Sequence, residues 1–403
     1  MGNEKMRKVA LATCFLDNYG ACLQAYGLQS VISEMGYCCE VLAYIEPAGY
    51  LRPSRRYNLS IRIRQIVSLP LSVLMKKYRY PIPYYKRVQV ILDKRKAFDR
   101  FKMRCLNFRR DEKNRVRYYE SFGALDAEDL HYDAFVCGSD QIWNPTFYGK
   151  NNPAYFLRFA PQQKRIAYSP SIGLPAMPDK YREEFIRFVR EIPSVSVREQ
   201  TAAQIIRDTC GRDVPVTMDP TLLAGRAFWL KAVESQKNTC SFSKYILCYF
   251  FSNTERMKSY IEQVHAQTGL PIVYFATTEL TFDPAYSYCA AGAGPLEFLQ
   301  LILDAQIVLT DSFHGTVFSL LYQKSFYVLQ RERLGGEVNM FSRLNDLLGR
   351  LELNDRVLSY EQQVPVSQTP IDYGKVAARL DAWRAQSAQY LKDALEEACH
   401  GNC

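Results

Sequence analysis

Lys8-Val9-Ala10-Leu11-Ala12-Thr13, then Asp17-Asn18-Tyr19-Gly20, then Ala21–Met35, then Cys38–Tyr44: this run of the chain decides the fold class. The first segment is a short apolar run without helical spacing and reads as a buried strand. Asp, Asn and Gly then supply the local hydrogen bonding and permissive dihedrals of a turn. In Ala21–Met35 the residues Leu23, Tyr26, Leu28, Val31 and Ile32 share one helical face, and Gly36 ends the helix. Cys38–Tyr44 returns as a strand. Strand, helix and strand in that order imply parallel pairing, because parallel neighbours need a crossover that a helix provides.

Working outward, the alternation recurs at Tyr132–Cys137, Arg165–Ser169 and the helix Asp179–Arg190. A second series follows Pro193: strand Ser194–Val197, helix Glu199–Asp208, strand Val214–Thr217, a helix near Phe228-Trp229, and strands Tyr245–Phe251 and Ile272–Phe275. It closes with helix Pro295–Ala305, strand Gln306–Thr310, helix Gly315–Tyr322 and strand Phe326–Leu329. The expected architecture is α/β, with two doubly wound Rossmann-like domains facing across a cleft. Residues 1–192 would form the first domain and 193–371 the second. In 372–403, Val376, Leu380, Trp383, Tyr390, Leu391 and Leu395 mark an amphipathic helix packing back on the domains.

With 403 residues, 48% apolar and 23% charged, the chain has ample material for large cores. That balance excludes a disordered, collagenous or small disulfide-stapled protein. The N-terminal residues show no long apolar stretch or small-residue cleavage site, and no apolar run reaches the 18 or more residues needed to span a bilayer. The expectation is a soluble cytoplasmic protein whose 12 cysteines are reduced thiols packed as small hydrophobes.

Lys plus Arg number 51 against 42 Asp plus Glu, a formal +9 that suggests an anionic partner. The excess is concentrated. Residues 51–117 hold 21 Lys or Arg and four acids, a local +17 interrupted by apolar runs such as Leu71–Met75. One reading is a solvated helical insertion. The sharper one is a basic amphipathic surface resting on anionic lipid headgroups or an acidic glycan, peripheral to the membrane. No RNA-binding signature accompanies it, so no nucleic acid is expected.

In doubly wound sheets ligands bind outside the carboxyl ends of strands, which directs attention to strand-to-helix turns. Thr310-Asp311-Ser312-Phe313-His314-Gly315 follows an apolar strand and opens an apolar helix. A helix N-terminus suits phosphate, Gly315 lets a ligand approach the backbone, and His314 is the side chain able to carry a proton near neutral pH. His131, His265 and His400 have no such setting. At Ser196-Val197-Arg198-Glu199 an arginine can present its planar fork to a carboxylate or phosphate, although a salt bridge with Glu199 or Asp219 is the simpler account. Cys137-Gly138-Ser139-Asp140-Gln141-Ile142-Trp143 offers Ser139, Asp140 and Gln141 for sugar hydroxyls and Trp143 for stacking on a sugar ring. Asn18 and Tyr19 would face the same cleft. The chain lacks P-loop, GxGxxG, HExxH and GxSxG patterns, and its cysteine spacing matches no zinc site.

Together these turns resemble the polysaccharide pyruvyl transferase family, from Lys8 to about Leu351. The resemblance rests on Asn18-Tyr19-Gly20-Ala21, Gly138–Pro145, Ser196–Glu199, Asp219-Pro220-Thr221, Gly294–Leu299 and Thr310–Gly315. It implies a GT-B-like fold and transfer of a carboxyethylidene (pyruvate ketal) group from phosphoenolpyruvate to a sugar of a surface or capsular polysaccharide or its lipid-linked precursor. On that basis Arg198 grips the donor with Ser312, Phe313 and Gly315, and His314 is the catalytic histidine. Asp140 orients or deprotonates an acceptor held by Asn18, Tyr19, Ser139, Gln141 and Trp143. Phosphoenolpyruvate serves as donor substrate, with no cofactor or metal required. Relatives carry Arg-Leu where this chain has Ser312-Phe313, so one donor-neutralising charge is missing; Lys324, Arg331, Arg333 and Arg343 are the candidates to supply it. Two other readings stay open: a GT-B sugar-nucleotide glycosyltransferase, with His314 and Arg198 holding a diphosphate, and a non-catalytic glycan- or phosphate-binding relative.

Overall fold

The computed structural model describes residues 6–45, 84–237, 240–251, 255–275, 281–330, 342–359, 362 and 370–400. Short, mainly apolar runs make its strands. These are β1 (Lys8–Ala12), β2 (Cys38–Val41), β3 (Ala43–Tyr44), β4 (Tyr118–Tyr119), β5 (Ala134–Cys137), β6 (Arg165–Ala167), β7 (Ser194–Val195), β8 (Ile246–Tyr249), β9 (Ile272–Tyr274), β10 (Ser287–Cys289), β11 (Ile307–Thr310), β12 (Ser325–Leu329) and β13 (Val357–Leu358). The helices are α1 (Tyr19–Glu34), α2 (Tyr84–Cys105), α3 (Phe122–Asp126), α4 (Pro145–Tyr148), α5 (Asp179–Arg190), α6 (Gln200–Cys210), α7 (Pro220–Val233), α8 (Glu255–Thr268), α9 (Pro295–Asp304), α10 (Phe313–Leu321), α11 (Ser342–Arg350) and α12 (Tyr373–His400).

Two sheets result. The first has strand order β2-β1-β5-β6-β7, the second β10-β9-β8-β11-β12-β13, and every pairing within them is parallel. The expected pair of doubly wound domains is therefore present. Chain direction across each sheet reverses beside β1 and β5 in the first and beside β8 and β11 in the second. Those reversals are the switch points at which α/β sheets open a crevice.

The domain boundary differs from the expected one near Pro193. Strand β7 pairs with β6 in the first sheet, and Val197 bridges Val216 in continuation of it. Helix α6 buries Ala202, Ala203, Ile205 and Ile206 in the same core as Phe185 and Phe188 of α5. The first domain thus runs to about Asp219, and the second sheet begins only at β8. A two-residue apolar strand reads alike in either sheet; only its non-local partner assigns it.

The basic stretch also departs from the expectation of a solvated insertion. Residues 46–83 lie outside the described ones, but α2 buries Phe98 and Phe101 in the core that holds Phe298 and Phe318 of the second domain. Its charges are snorkelled along that surface: the Lys94 ammonium lies 5.1 Å from the centre of the Tyr19 ring. Among the described residues no helix is long and apolar enough to cross a membrane.

Helix α1 is buried nearly all round because it sits between the domains. Tyr19 stacks on Phe298 with ring centres 4.4 Å apart, and its hydroxyl donates to the Ala293 carbonyl at 2.8 Å. Tyr249 and Phe275 complete the cluster. Helix α12 straps both halves. Val376, Leu380 and Trp383 pack on the second domain's core, and Leu391 and Leu395 pack beneath the first sheet. Its Trp383 indole donates to the Val216 carbonyl at 3.1 Å, and Ser387 accepts from the Met218 amide at 2.9 Å. Tyr19→Ala removes a fully packed ring and a buried hydrogen bond from the interdomain seam, so it should cost about 3–5 kcal/mol in urea unfolding.

Candidate functional site

Strand β11 ends at Thr310, whose hydroxyl donates to the Tyr249 carbonyl at 2.6 Å and accepts from the Ser312 amide at 3.0 Å. Asp311 accepts from the Phe251 amide at 2.8 Å. The Ser312 hydroxyl caps α10 by accepting from the Gly315 amide at 3.3 Å. This clamped turn fixes the imidazole of His314. The close approach at Gly315 is to protein: a Cβ there would lie 2.5 Å from the Thr310 hydroxyl. Gly315 is therefore needed for strand–helix packing. Similarly, a Cβ at Gly20 would fall 2.0 Å from His314 Nδ1, so the first turn of α1 must carry glycine for the imidazole to fit.

From the first sheet, the segment after β7 delivers Arg198 and the segment after the Val197–Val216 bridge delivers Asp219. The Arg198 guanidinium donates from Nη1 to Asp219 Oδ2 at 2.8 Å, lies 3.6 Å from Asp140 Oδ1 through Nη2, and 3.9 Å from Glu199 Oε2 through Nε. His314 Nε2 stands 3.7 Å from the same Asp219 Oδ2, within charge-pair range and beyond hydrogen-bond length. Arg198 and His314 thus converge, from separate domains rather than from the single second domain that the sequence reading gave them, on a protein carboxylate. The simpler account of Arg198 as a salt-bridge partner of Asp219 is what the geometry contains.

Asp219 is the hub. Its Oδ1 accepts from the Thr221 amide at 2.9 Å and the Thr221 hydroxyl at 2.5 Å, capping α7, while the Ser139 hydroxyl lies 3.4 Å from Oδ2. Burial alone would raise its pKa; the facing His314, Arg198 and the Thr221 hydroxyl outweigh that and hold the carboxyl far below the usual carboxylate range. Around Arg198 burial likewise opposes the charge, and Asp219, Asp140 and Glu199 prevail to raise its pKa. Glu199 Oε1 accepts from the Ser171 hydroxyl and the Ile172 and Gly173 amides, at 2.9, 3.0 and 3.0 Å. Four buried polar atoms at this point have no hydrogen-bond partner: Arg198 Nε and Nη2, Glu199 Oε2 and His314 Nε2. Orphaned buried donors and acceptors are costly, and their clustering marks a place where a polar ligand would complete the set.

A cavity of about 360 Å³ opens beside them, lined in part by Arg198, Asp219, Phe313, Arg343, Arg350 and Trp383. Its size lies within the range of small-molecule sites. Phe313 is the platform of the cavity, with the Arg198 guanidinium 4.6 Å from its ring centre. His314 does not line the cavity; it meets the cavity's wall through Asp219. Among the described residues no group of three or more His, Cys, Asp or Glu is arranged to hold a metal.

The expected acceptor residues divide. Asn18 caps α1 by accepting from the Ala21 amide at 3.2 Å, and Asp140 and Gln141 are part-exposed at the edge of the site. Trp143 is not available for a sugar ring: it is buried, stacked on Phe156 at 4.9 Å, with its indole donating to the Tyr155 carbonyl. Tyr19 is committed to the interdomain cluster. Ser139 is fully buried, with its hydroxyl donating to the Ser169 carbonyl at 2.7 Å. An aromatic beside a polar turn gives the same sequence signal whether it faces core or cleft. Conversely, Glu199 and Asp219 were visible only as possible ion-pair partners, and nothing local signalled that Gly20 abuts His314 from the other domain.

Two parallel doubly wound sheets whose carboxyl ends meet over one buried polar cluster define a two-domain protein of the GT-B type. The chain belongs to the polysaccharide pyruvyl transferase family, whose model matches residues 18–333. Solved structures similar to it include the UDP-GlcNAc 2-epimerase of Methanocaldococcus jannaschii, at 11% identity, covering 94% of this chain and 93% of that one, with a TM-score of 0.43. That of Neisseria meningitidis is 10% identical, covering 94% of this chain and 100% of that one, with a TM-score of 0.45. A comparison with curated proteins gives no match.

Asp219→Asn leaves Arg198 buried with its closest counter-charge removed and should lower stability by about 3 kcal/mol at neutral pH. The native carboxyl titrates below its unfolded value of about 3.9, so its contribution is complete above that pH and fades as pH falls toward the folded value. The stability gap between wild type and Asp219→Asn should accordingly narrow below about pH 4, measured by urea unfolding across a pH series.

Proposed function

We propose that this chain transfers a pyruvyl ketal group from phosphoenolpyruvate to a pair of hydroxyls on a saccharide of a surface polysaccharide or its lipid-linked precursor. The observation that carries the reading is the convergence of Arg198 and His314, each with an unpartnered buried nitrogen, beside an arginine- and aromatic-lined cavity. Membership of the pyruvyl transferase family supports it.

The chemistry asks for three things: cations for phosphate and carboxylate, a proton for the methylene carbon, and removal of a proton from each hydroxyl. Protonation of the methylene makes the central carbon an oxocarbenium-like electrophile. One sugar hydroxyl adds and loses its proton, inorganic phosphate departs, and a second hydroxyl closes the ring ketal with loss of its own proton. In this reading the Arg198 Nε and Nη2 groups face the donor's anionic end, and His314, across Asp219 from the cavity, is the source of the proton. Asp140, at the exposed edge and 3.6 Å from Arg198, is placed to accept a hydroxyl proton. A lipid-linked acceptor fits the +17 charge of residues 51–117, which favours contact with anionic headgroups.

The test is phosphate release from phosphoenolpyruvate over a panel of lipid-linked saccharides, with mass spectrometry of the products. Thermal shifts with phosphoenolpyruvate and with UDP-sugars separate this reading from sugar-nucleotide transfer, since a ligand at 100 times its Kd adds about 2.7 kcal/mol. His314→Ala is expected to lower kcat about 10²- to 10⁴-fold while phosphoenolpyruvate still binds. Full activity of that variant, or a shift with UDP-sugars alone, overturns the assignment.

A further inference from the structure

We infer that Arg343, on helix α11 of the second domain, is the second donor-binding cation and works beside Arg198 over the ring of Phe313; this deepens the reading above and rests on it. The turn that opens α10 carries no arginine or lysine of its own. Ser312 is buried there, and its hydroxyl is spent on the Gly315 amide as the helix cap. A small donor with a carboxylate and a phosphate needs more than one cation, and Arg198 is already bound to Asp219 at 2.8 Å.

The fold brings Arg343 to the same ring. Its guanidinium lies 5.8 Å from the centre of Phe313, against 4.6 Å for Arg198, and both arginines line the one cavity. Gln141, at the end of the first sheet, reaches it: with its amide oxygen turned toward α11, Gln141 accepts from Arg343 Nη2 at 2.8 Å and Nη1 at 3.1 Å. A neutral amide orients a guanidinium without itself cancelling the charge.

The cavity wall carries three arginines (198, 343 and 350) and two aspartates (219 and 346), and Asp140 and Glu199 stand behind Arg198. Both aspartates are engaged within the protein, Asp219 by Arg198 and Asp346 by the Gln200 amide at 2.8 Å. The wall thus brings arginine forks and the Phe313 and Trp383 rings together, groups that suit a compact organic anion.

Of the other cations that the sequence suggested, only Lys324 is among the described residues, and it does not line this cavity. Lys324 follows the far end of α10, about 13 Å along a nine-residue helix from Phe313. It lies near Asp304 and Arg226. Arg331 and Arg333 fall outside the described residues.

Calorimetric titration of the full-length protein with phosphoenolpyruvate, alongside steady-state kinetics, decides the matter. Arg343→Gln is expected to weaken donor binding about ten- to hundredfold, the size of one lost charged contact, with KM raised more than kcat is lowered. Arg343→Lys should fall between, and Lys324→Gln should match wild type. Arg343→Gln binding within about twofold of wild type overturns the inference and leaves the proposed function standing; a wild type that binds no phosphoenolpyruvate overturns both. Should Arg343→Gln fail to melt cooperatively, Arg343→Lys decides: a raised donor KM supports the role, and an unchanged one ends it.

Discussion

One buried carboxylate organises this molecule. Asp219 caps α7, receives the Arg198 guanidinium, sits against Ser139 at the end of β5, and faces His314 from the opposite domain. A charge with 0% side-chain exposure is expensive unless nearly every lone pair is used, and here each oxygen is engaged. Because its partners come from both domains and from the segment joining them, satisfying this one group fixes where the two sheets' carboxyl ends lie relative to each other.

That constraint is reinforced by apolar contact of a different kind. Tyr19 begins α1, one residue before Gly20, which must be glycine to admit His314. The same turn therefore supplies the aromatic that pins the domains and the gap that receives the imidazole. The strap formed by α12 acts from the other side, holding the Val216–Met218 segment that leads into Asp219. Polar hub, aromatic seam and helical strap all bear on one short connection between the domains, so the site is stiff where its ionisable groups meet.

Much of this was legible in the sequence because local pattern suffices for it. Apolar four- and five-residue runs such as Ile307–Thr310, each followed by a helix, permit little besides parallel strands with crossovers, and polar turns after such runs must lie at the sheets' carboxyl ends. Arg198 and His314 could be picked out on that ground. Partners were harder. Ser194–Val195 joins the first sheet through β6, a pairing that no local feature encodes, and the boundary read from the sequence fell about 25 residues early for that reason. Trp143 shows the same limit for side chains: its neighbours Asp140 and Gln141 are part-exposed, yet its own ring turns inward onto Phe156. Within the described part of the basic stretch, α2 sets Phe98 and Phe101 into the core while its charged residues stay at the surface, a contact that the charge pattern alone does not reveal.

The pair Ser312-Phe313 gathers these threads. At the first position a short hydroxyl closes the helix cap, something a long basic side chain would do poorly, since capping needs an acceptor oxygen close to its own backbone. At the second, a flat ring stands where it can carry two guanidiniums delivered by different elements, Arg198 from the first domain and Arg343 from the second. An aliphatic side chain there would fill space but offer no π-face to hold them. Ser312 and Phe313 therefore work together: the turn holds no Arg or Lys, and the ring beside it stands next to one from α11. The cation then arrives on an element that belongs to the second domain and touches the first through Gln141 and Gln200, so the charge that meets the ligand also depends on how closely the domains approach.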